Sequence, residues 1–338
     1  MRLVAYLRMD ETIASVQAAH QGTERATAND SPLVVSVVVN YRGLVDTRAC
    51  IASLLAVDYP RHEIVVVENG SGGTEAEALV AAMPTEVHVL VSDRNLGYGG
   101  AANLGMRWAV QAGAEYVWVL NNDTTVDSRS VAELVRAMES DPRCGAAGPQ
   151  VTAPIGPESP RGVWYAGGVA DLRRVTTSHA LDLLDTDAPL VPTGFVNGAA
   201  MFMRTRALAE TGMLWERLFL YWEDIELSFR LRAAGWHLAV APAARIHHAV
   251  HGSVRSAVAE YYYYRNAILV AQRQSGSRGG VRAFLALWSR AGRRWLACLI
   301  KGRRPWPMAE TRGLVAGLLD VVRGRASEDG AEASRDLG

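Results

Sequence analysis

The first third of the chain alternates short apolar runs with segments of helical periodicity. Each apolar run is rich in β-branched or aromatic residues and is apolar on both faces, which is typical of a strand buried in a parallel sheet. Strands and helices in this alternation form βαβ units, so the sequence predicts an α/β fold: a mostly parallel central sheet with helices on both faces. The predicted strands lie at 33–39, 63–67, 87–91 and 116–120, and the predicted helices at 47–56, 75–83 and 101–112.

The pattern changes after residue 140. The segment 141–190 is rich in proline and glycine and predicts loops with short antiparallel pieces. Periodicity returns at 195–204 and in a clear helix at 223–234, which Gly235 is placed to close as a C-terminal capping glycine. The remaining periodic segments predict a C-terminal helical appendage. They lie at 257–272, 281–300 and 311–322, the last two being basic and amphipathic.

Composition narrows the class of protein. Of the 338 residues, 49% are hydrophobic and 21% charged, which is ordinary for a globular chain and far from a disordered one. Cys50, Cys144 and Cys298 are widely separated and offer neither a metal-binding spacing nor a disulfide framework, which favours a reducing compartment. An apolar run at 3–7 is too short for a membrane span or a signal peptide.

The net charge of zero is a cancellation. Basic and acidic residues number 35 each, yet Tyr261–Ala309 holds ten basic residues and no acidic one. The overall balance argues against a nucleic-acid-binding protein. A basic stretch that also carries Trp288, Trp295 and Trp306 suits an anionic membrane surface, and a solvated helix packed on the rest of the protein is the alternative.

Polar side chains follow all four predicted parallel strands. Ligands of such sheets bind beyond the carboxyl ends of the strands, so we expect these residues to hold a polar ligand. They are Asn40, Tyr41 and Arg42; Glu68 and Asn69; Asp93, Arg94 and Asn95; and Asn121, Asn122 and Asp123.

A glycine-rich segment follows the third strand. Its spacing Gly97-x-Gly99-x-x-Ala102 matches a relaxed dinucleotide fingerprint, but a true fingerprint follows the first strand, and Glu115 comes too early to be its ribose-binding acid. The glycines favour close approach of a nucleotide or diphosphate to a helix N-terminus. A plain glycine-rich turn is the alternative.

Two clusters of oxygen ligands carry candidate chemistry. The cluster at 121–123 suits Mg²⁺ or Mn²⁺ if a diphosphate or a second protein ligand completes the shell, and an Asx turn is the alternative. Glu223 and Asp224 open a helix, where a carboxylate stays ionised and can accept a proton from an alcohol, although acids also stabilise helix N-termini. The adjacent Trp222 offers a flat apolar face to a sugar.

Together and in this order, the segments resemble an inverting family 2 glycosyltransferase of the GT-A fold, in the branch that contains bacterial rhamnosyltransferases. The resemblance covers about residues 33–270. Each motif alone is weak, but eight in sequence order are specific. They are SVVVNYRG (36–43), EIVVVENGSGG (63–73), RNLGYGGAANLGM (94–106), YVWVLNNDTTV (116–126), FVNGAAMFMRTRAL (195–208), FLYWEDIELSFRLRAAGW (219–236), ARIHHAVHGS (244–253) and YYYYRNAILV (261–270).

The resemblance implies roles for the matching residues. Asp224 corresponds to the catalytic base, with Glu223 beside it. Asp123 occupies the last position of the family's metal motif, whose Mg²⁺ or Mn²⁺ site His248 would complete together with a diphosphate. The implied substrate-binding residues are Asn40, Tyr41, Glu68, Asn69, Arg94, Asn95, Gly97, Asn122, Gly198, Ala199 and Trp222.

Three positions depart from the family's pattern. Glu68 stands where the family usually has aspartate, at the position that contacts the nucleotide. Asn121 replaces the first acid of a strict metal motif, which implies a weaker site that depends on the substrate's phosphates. Trp215 stands where relatives commonly carry aspartate, near the expected acceptor.

The reaction implied by the resemblance is a single displacement. Asp224 removes the proton of the acceptor hydroxyl, and the oxygen attacks the anomeric carbon while the metal offsets the charge of the leaving diphosphate. The branch favours dTDP-L-rhamnose as donor, with UDP- and GDP-hexoses as alternatives. The acceptor hydroxyl would belong to a glycan, a lipid-linked precursor or a natural product. The implied location is the cytoplasm, at the inner face of the plasma membrane if 281–306 binds lipid.

Two functions other than glycosyl transfer stay open. A NAD(P)-dependent oxidoreductase would bind NAD(P) tightly, and a non-catalytic nucleotide-sugar-binding module would keep the pocket without transferring sugar.

The expected organisation of the chain has four parts. They are an N-terminal extension (1–32), a GT-A catalytic domain (33–270, divided into a nucleotide-binding half at 33–125 and an acceptor half at 126–270), a basic amphipathic helical region (271–325) and a disordered tail (326–338).

Overall fold

The N-terminal half of the protein is a parallel sheet. A computed structural model describes residues 5–6, 31–157, 159–250, 257–300 and 308–323. The first strands are β1 (Ala5–Tyr6), β2 (Val34–Asn40), β3 (His62–Asn69), β4 (Val87–Ser92) and β5 (Tyr116–Asn121), and the helices between them are α1 (Leu44–Leu55), α2 (Gly73–Ala82) and α3 (Gly97–Gln111). The strands lie in the order β1-β4-β3-β2-β5, with every neighbouring pair parallel, which confirms the predicted fold class.

The C-terminal half extends the same sheet and adds helices. Its strands are β6 (Thr124–Val126), β7 (Cys144–Thr152), β8 (Val163–Tyr165), β9 (Gly168–Asp171), β10 (Thr176–His179), β11 (Val191–Pro192), β12 (Ala200–Arg204) and β13 (His237–His248). Its helices are α4 (Ser130–Ser140), α5 (Thr205–Thr211), α6 (Glu223–Ala233), α7 (Ala257–Ile300) and α8 (Met308–Arg323), with a 3₁₀ turn at Glu216–Leu218. The sheet continues from β5 as β5-β12-β7-β13-β11, with β12 antiparallel to β5 and β7.

The hydrophobic core lies in two layers, one on each face of the sheet. Alternate residues of β2 show this division, since successive side chains of a strand point to opposite faces. Val34 and Val38 pack into one layer, and Val35, Val37 and Val39 pack into the other. All five are buried, which explains why the strand is apolar on both faces.

The segment 141–190 differs from its prediction. Its first part is β7, a nine-residue strand in the middle of the sheet. Gly145 lies so close to Trp236 that a Cβ atom would be 2.9 Å from the tryptophan Cβ, and Gly148 lies against Tyr165. These glycines are present because neighbouring side chains leave no room, whereas composition alone indicates turns. The rest of the segment forms short antiparallel strands, as predicted.

The glycine-rich segment also differs in detail. Helix α3 begins at Gly97, whereas the periodicity predicts a start at residue 101. Gly97 has a φ of +74°, and Gly105 packs directly on Val37 of β2. The glycines therefore bring the helix close to the sheet and let its first turn follow a path that a side chain would oppose.

Helix α7 joins the C-terminal helices to the rest of the protein. Its backbone leaves helical geometry at Ser275 and Gly276, which divides it into two arms that correspond to the predicted segments at 257–272 and 281–300. On α6, Glu226 is fully buried and pairs with Arg273 of α7 at 3.0 Å. Among the residues described, none of the helices has the length and apolar character needed to cross a membrane.

Some expectations fall outside the described residues. These include Trp306, the tail at 326–338 and all of the 1–32 extension except residues 5–6 and 31–32. The expected boundary at residue 270 lies inside α7, and the four-part division stays a prediction.

Candidate active site

A cavity of about 670 Å³ opens where β5 ends. Its wall combines the turn after β5, the start of α6, the end of β13 and parts of α7 and α8. Eight of the residues singled out from sequence line it: Asn121, Asp123, Gly198, Ala199, Trp222, Glu223, Asp224 and His248. The other expected substrate-binding residues lie outside this wall, at the ends of β2, β3 and β4, at the start of α3 or in the turn after β5.

Glu68 is held beneath the strand ends by its neighbours. Its carboxylate accepts hydrogen bonds from the Ser71 amide (2.5 Å), the Ser71 hydroxyl (2.9 Å) and Asn40 Nδ2 (2.6 Å), and its side chain is fully buried. Asn40 Oδ1 in turn accepts from the Thr47 hydroxyl at 2.8 Å. In this arrangement Glu68 shapes the loop after β3, and its contact with a nucleotide stays a prediction.

Asn69 joins the end of β3 to the start of α3. Its Oδ1 accepts from the Leu96 amide at 2.8 Å, and its Nδ2 donates to Asn95 Oδ1 at 3.1 Å and to the Gly97 carbonyl at 3.2 Å. Asn95 Oδ1 also accepts from the Gly97 amide at 2.8 Å. Tyr41 and Arg94 are exposed at the same edge, so this edge presents a planar ring and a guanidinium to solvent.

The side chains after β5 point in different directions. Asn121 and Asp123 line the cavity. Asn122 turns toward α1, where its Nδ2 donates to the Gly43 carbonyl at 3.2 Å and to the Thr47 hydroxyl at 3.0 Å. The structure therefore assigns Asn122 contacts with α1, and its predicted role in substrate binding has no counterpart in the cavity wall.

Asp123 and His248 form a pair across the cavity wall. Asp123 Oδ1 lies 3.0 Å from His248 Nε2, and both side chains are mostly buried. The antiparallel pairing of β6 with β13 brings them together, and the Ala249 amide donates to the Asp123 carbonyl at 2.9 Å. The Trp164 ring packs on the imidazole at 4.7 Å, and His248 Nδ1 is buried without a hydrogen-bond partner.

The chemistry of this pair fits a divalent cation shared with a diphosphate. A carboxylate oxygen and an imidazole nitrogen suit Mg²⁺ or Mn²⁺ as part of a shell, and Mg²⁺ in particular keeps waters and substrate phosphates as its other ligands. Within the described ranges, no group of three or more His, Cys, Asp or Glu side chains is placed to hold a metal ion. Two protein ligands would therefore need phosphate oxygens beside them.

The two acids at the start of α6 have different partners. Asp224 Oδ2 accepts from the Gly198 amide at 2.9 Å and its Oδ1 from the Ile225 amide at 2.7 Å. Glu223 Oε2 is buried without a partner. Burial, with the charge of Asp224 adding to it, raises the pKa of Glu223 to about 8. Burial also raises the pKa of Asp224, against the lowering effect of its two amide donors.

These environments separate the roles of the two carboxyl groups. Adjacent carboxylates in a buried site cannot both ionise readily, and hydrogen bonds to the charged form favour ionisation. Asp224, whose carboxylate has the Gly198 and Ile225 amide donors, is therefore the member that ionises more readily, and Glu223 is the one that holds its proton. Asp224 can accept a proton at the cavity wall. Glu223, while protonated, adds no second negative charge to the site.

The loop before these acids follows a strained path. Phe219, Tyr221 and Trp222 have φ values of +61°, +69° and +73°. Positive φ at a residue with a side chain costs about 1–3 kcal/mol, and such residues cluster at functional sites. The Tyr98 amide donates to the Phe219 carbonyl at 2.6 Å, and a Cβ on Gly97 would lie 2.5 Å from that carbonyl oxygen.

Sequence reasoning missed several residues of the cavity wall. Tyr98 stands inside the glycine-rich motif, and its hydroxyl donates to the Gly198 carbonyl at 2.6 Å. Trp164 has no local signal, because a long-range strand pairing brings it to the site. Arg290 and Glu310 lie in the C-terminal helices, which periodicity could not connect to the cavity. Conversely Trp215, expected near the acceptor, lies outside the wall with Arg273 4.3 Å above its ring.

Comparison with known proteins gives consistent matches. Residues 32–279 match the family model described as "Glycosyltransferase like family 2". The chain is 31% identical over 269 residues to the N-acetylglucosaminyl-diphospho-decaprenol L-rhamnosyltransferase of Mycobacterium tuberculosis, covering 72% of this chain and 82% of the relative. It is also 31% identical over 212 residues to the galactofuranosyltransferase GlfT1 of the same species, covering 60% of this chain and 65% of that relative.

A solved structure shares the fold. It is the mannosyltransferase PcManGT of Pyrobaculum calidifontis in complex with GDP-Man and Mn²⁺, at a TM-score of 0.53 and 14% sequence identity. The alignment covers 93% of this chain and 95% of the mannosyltransferase. At this identity the likeness establishes the fold alone, and the fold is the GT-A architecture that the motifs predict.

Proposed function

Because the chain belongs to glycosyltransferase-like family 2 and is a glycosyltransferase of the GT-A fold, we propose that it inverts configuration while transferring L-rhamnose from dTDP-L-rhamnose to a lipid-linked glycan precursor. One observation carries the proposal: a single cavity combines the Asp123–His248 pair with the Glu223–Asp224 pair. The first can hold a metal diphosphate and the second can accept a proton. The rhamnosyltransferase relative supports L-rhamnose as the transferred sugar and a lipid-linked acceptor. UDP- and GDP-hexoses, and glycan or natural-product acceptors, are the alternatives.

The proposed reaction is one displacement. Asp224 accepts the proton of the acceptor hydroxyl as its oxygen forms a bond to the anomeric carbon. The bond from that carbon to the diphosphate oxygen breaks on the opposite face, and dTDP leaves with the electron pair. General-base assistance of this kind contributes about 10² to 10⁴-fold in rate.

Asp123 and His248 are the residues proposed to hold Mg²⁺ or Mn²⁺ with the donor's phosphates. When bound, the ion would offset the negative charge of the leaving diphosphate. The Mn²⁺ in the mannosyltransferase of the same fold supports this part of the proposal.

A membrane surface is the proposed location of the acceptor. The second arm of α7 exposes Val281, Leu285, Trp288 and Leu296 along one side, at spacings that repeat on a helix face. Arg282 and Arg293 are exposed on the same arm. An amphipathic basic helix of this kind binds anionic bilayers, and each well-placed cation contributes about 1 kcal/mol.

A donor and acceptor screen tests the proposed function. Purified protein with Mg²⁺ or Mn²⁺ is mixed with dTDP-L-rhamnose or UDP- and GDP-hexoses and a short-chain polyprenyl-diphosphate-N-acetylglucosamine, and the product mass is measured. We expect one added deoxyhexose with dTDP-L-rhamnose. Transfer from another donor would overturn the rhamnose assignment. Binding without transfer or hydrolysis of any sugar nucleotide would favour a non-catalytic module, and tight NAD(P)H binding in a fluorescence titration would favour the oxidoreductase.

A further inference from the structure

The motif at 261–270 contains a buried asparagine that contacts the loop before α6. Asn266 lies on the first arm of α7 and is fully buried. Its Nδ2 donates to the carbonyl oxygens of Leu218 at 2.6 Å, Leu220 at 2.8 Å and Tyr221 at 3.1 Å. One side-chain amide therefore contacts three of four consecutive carbonyls in the segment that leads to the catalytic acids.

Arg265 fixes the orientation of this amide. Its Nη1 donates to Asn266 Oδ1 at 3.1 Å and to the Arg217 carbonyl at 3.3 Å. A guanidinium only donates, so the atom that it contacts must be the amide oxygen, and the amide nitrogen must face the loop. Asp320 of α8 holds both arginines, at 3.2 Å from Arg265 and 3.5 Å from Arg217.

The contacted loop needs external support. Within the described part of the chain, six non-glycine residues have positive φ, and Phe219, Tyr221 and Trp222 are three of them. Backbone of this kind persists only where surrounding groups determine it. The Tyr98 amide of α3 donates to the Phe219 carbonyl, and Asn266 of α7 donates to the carbonyls of the neighbouring residues.

We propose that Asn266, oriented by Arg265, is a positioning residue for the catalytic acids. It holds the loop at 218–222 in its left-handed path, so that α6 begins where Asp224 meets the Gly198 amide. The catalytic role of these acids rests on the proposed function. The stabilisation of the loop by Asn266 can be measured independently of that function.

The test replaces the amide by its carboxyl isostere. Asn266→Asp keeps the shape of the side chain but turns an oxygen toward three carbonyls. Gln150→Glu is the matched control, because Gln150 is also fully buried, donates to the Pro242 carbonyl at 2.7 Å and accepts from the Leu184 amide at 2.6 Å, away from the cavity wall. Asn266→Ala, which removes the donor without adding a charge, replaces the first variant if that one does not fold.

Two readouts locate the effect. Hydrogen exchange of peptides covering 218–226 should rise about tenfold or more in the Asn266 variant, since the loop loses its hold and opens locally. With the donor and acceptor of the proposed reaction, kcat should fall by roughly 10²-fold, because misplacing a catalytic group by about 1 Å has an effect of this size. The affinity for dTDP-L-rhamnose should stay within about threefold, and Gln150→Glu should change neither readout.

The proposal is overturned by unchanged exchange at 218–226, by equal losses of kcat in the Asn266 and Gln150 variants, or by a fall in donor affinity that matches the fall in kcat. If the unaltered protein transfers no sugar, the proposed function fails, and the exchange measurement alone decides whether Asn266 holds the loop.

Discussion

Glu223 and Asp224 show how neighbouring carboxyl groups acquire different chemistry. Both open α6, but only Asp224 receives a hydrogen bond from the Gly198 amide, at 2.9 Å, beside one from the Ile225 amide at 2.7 Å. Glu223 is buried with one oxygen unpartnered, and its pKa rises to about 8. Both acids can be identified from the sequence. The difference in their ionisation cannot, because it depends on the Gly198 amide, which contacts Asp224 only in the folded chain.

Replacing the proposed base tests this difference. We expect Asp224→Asn to lower kcat by about 10²- to 10⁴-fold, because the amide cannot accept the acceptor's proton. Affinity for dTDP-L-rhamnose should be nearly unchanged in a binding titration. Glu223→Gln, which keeps a neutral group of the same shape, should cause a smaller loss. Near-normal turnover by Asp224→Asn would remove Asp224 as the base.

The metal proposal is tested at Asp123. In titrations with dTDP, Mg²⁺ or Mn²⁺ should increase nucleotide affinity of the unaltered protein, and Asp123→Ala should abolish that increase because the shell loses its carboxylate ligand. Asp58→Ala is the control, since Asp58 is an exposed acid between α1 and β3 and lies outside the cavity wall. An unchanged metal-dependent gain in Asp123→Ala would contradict the assignment.

At the scale of elements, the second arm of α7 combines a stripe of exposed apolar side chains with exposed arginines. Leu285 and Leu296 are each 59% exposed, and Trp288 is 39% exposed. Periodicity alone identifies an amphipathic helix here, but it does not show which face is buried, and the arm packs on the protein through Ala283, Leu287 and Ala291. The structure leaves the apolar stripe on the outside.

This arrangement predicts binding to anionic lipid. The full chain should sediment with phosphatidylglycerol vesicles more than with phosphatidylcholine vesicles, and added salt should weaken the binding. Leu285→Glu combined with Leu296→Glu should reduce sedimentation about tenfold or more, since two apolar contacts are lost and two anions added. Val45→Glu, at an exposed site on α1, should sediment as the unaltered chain does. Equal sedimentation of the double variant would exclude this face.

The strands and helices show which parts of the fold can be predicted from local sequence patterns. Local patterns identify β2, β3, β4 and β5, because each is a short apolar run between turn signals. They fail at β7, where Gly145 and Gly148 reflect contact with residues far along the chain. In the site, motifs identify Asp123 and His248, but their 3.0 Å approach depends on β6 pairing with β13. Trp164 reaches the site by the same kind of long-range pairing.

For the whole molecule, the buried acids link folding to pH. The pKa of Glu223 rises from an ordinary value of 4.5 to about 8 on folding, because burial disfavours its charge. Between these values the folded protein binds more protons than the unfolded chain. The contribution of Glu223 to the free energy of unfolding therefore falls as pH rises through this window and levels off above it. The raised pKa of Asp224 acts in the same direction.

Urea unfolding at several pH values checks this linkage. From about pH 5 to about pH 8, the free energy of unfolding of the unaltered protein should decline relative to that of Glu223→Gln, because the amide has no proton to release. Buried His62, whose pKa is lowered to about 4, acts equally in both proteins and cancels in this difference. Glu77→Gln, which replaces an exposed acid on α2, should keep the original slope. An identical slope in Glu223→Gln would show that Glu223 does not titrate with folding.

The origin of the cavity wall also bears on how the protein is made. Glu223 and Asp224 precede α7 and α8 in the chain, whereas Tyr263, Arg290 and Glu310 of those helices complete the wall around them. A ribosome therefore synthesises the acids well before the helices that enclose them. While the nascent chain stops short of α8, the loop at 218–222 has only part of its support, so the enclosed site forms only after these helices have emerged and packed.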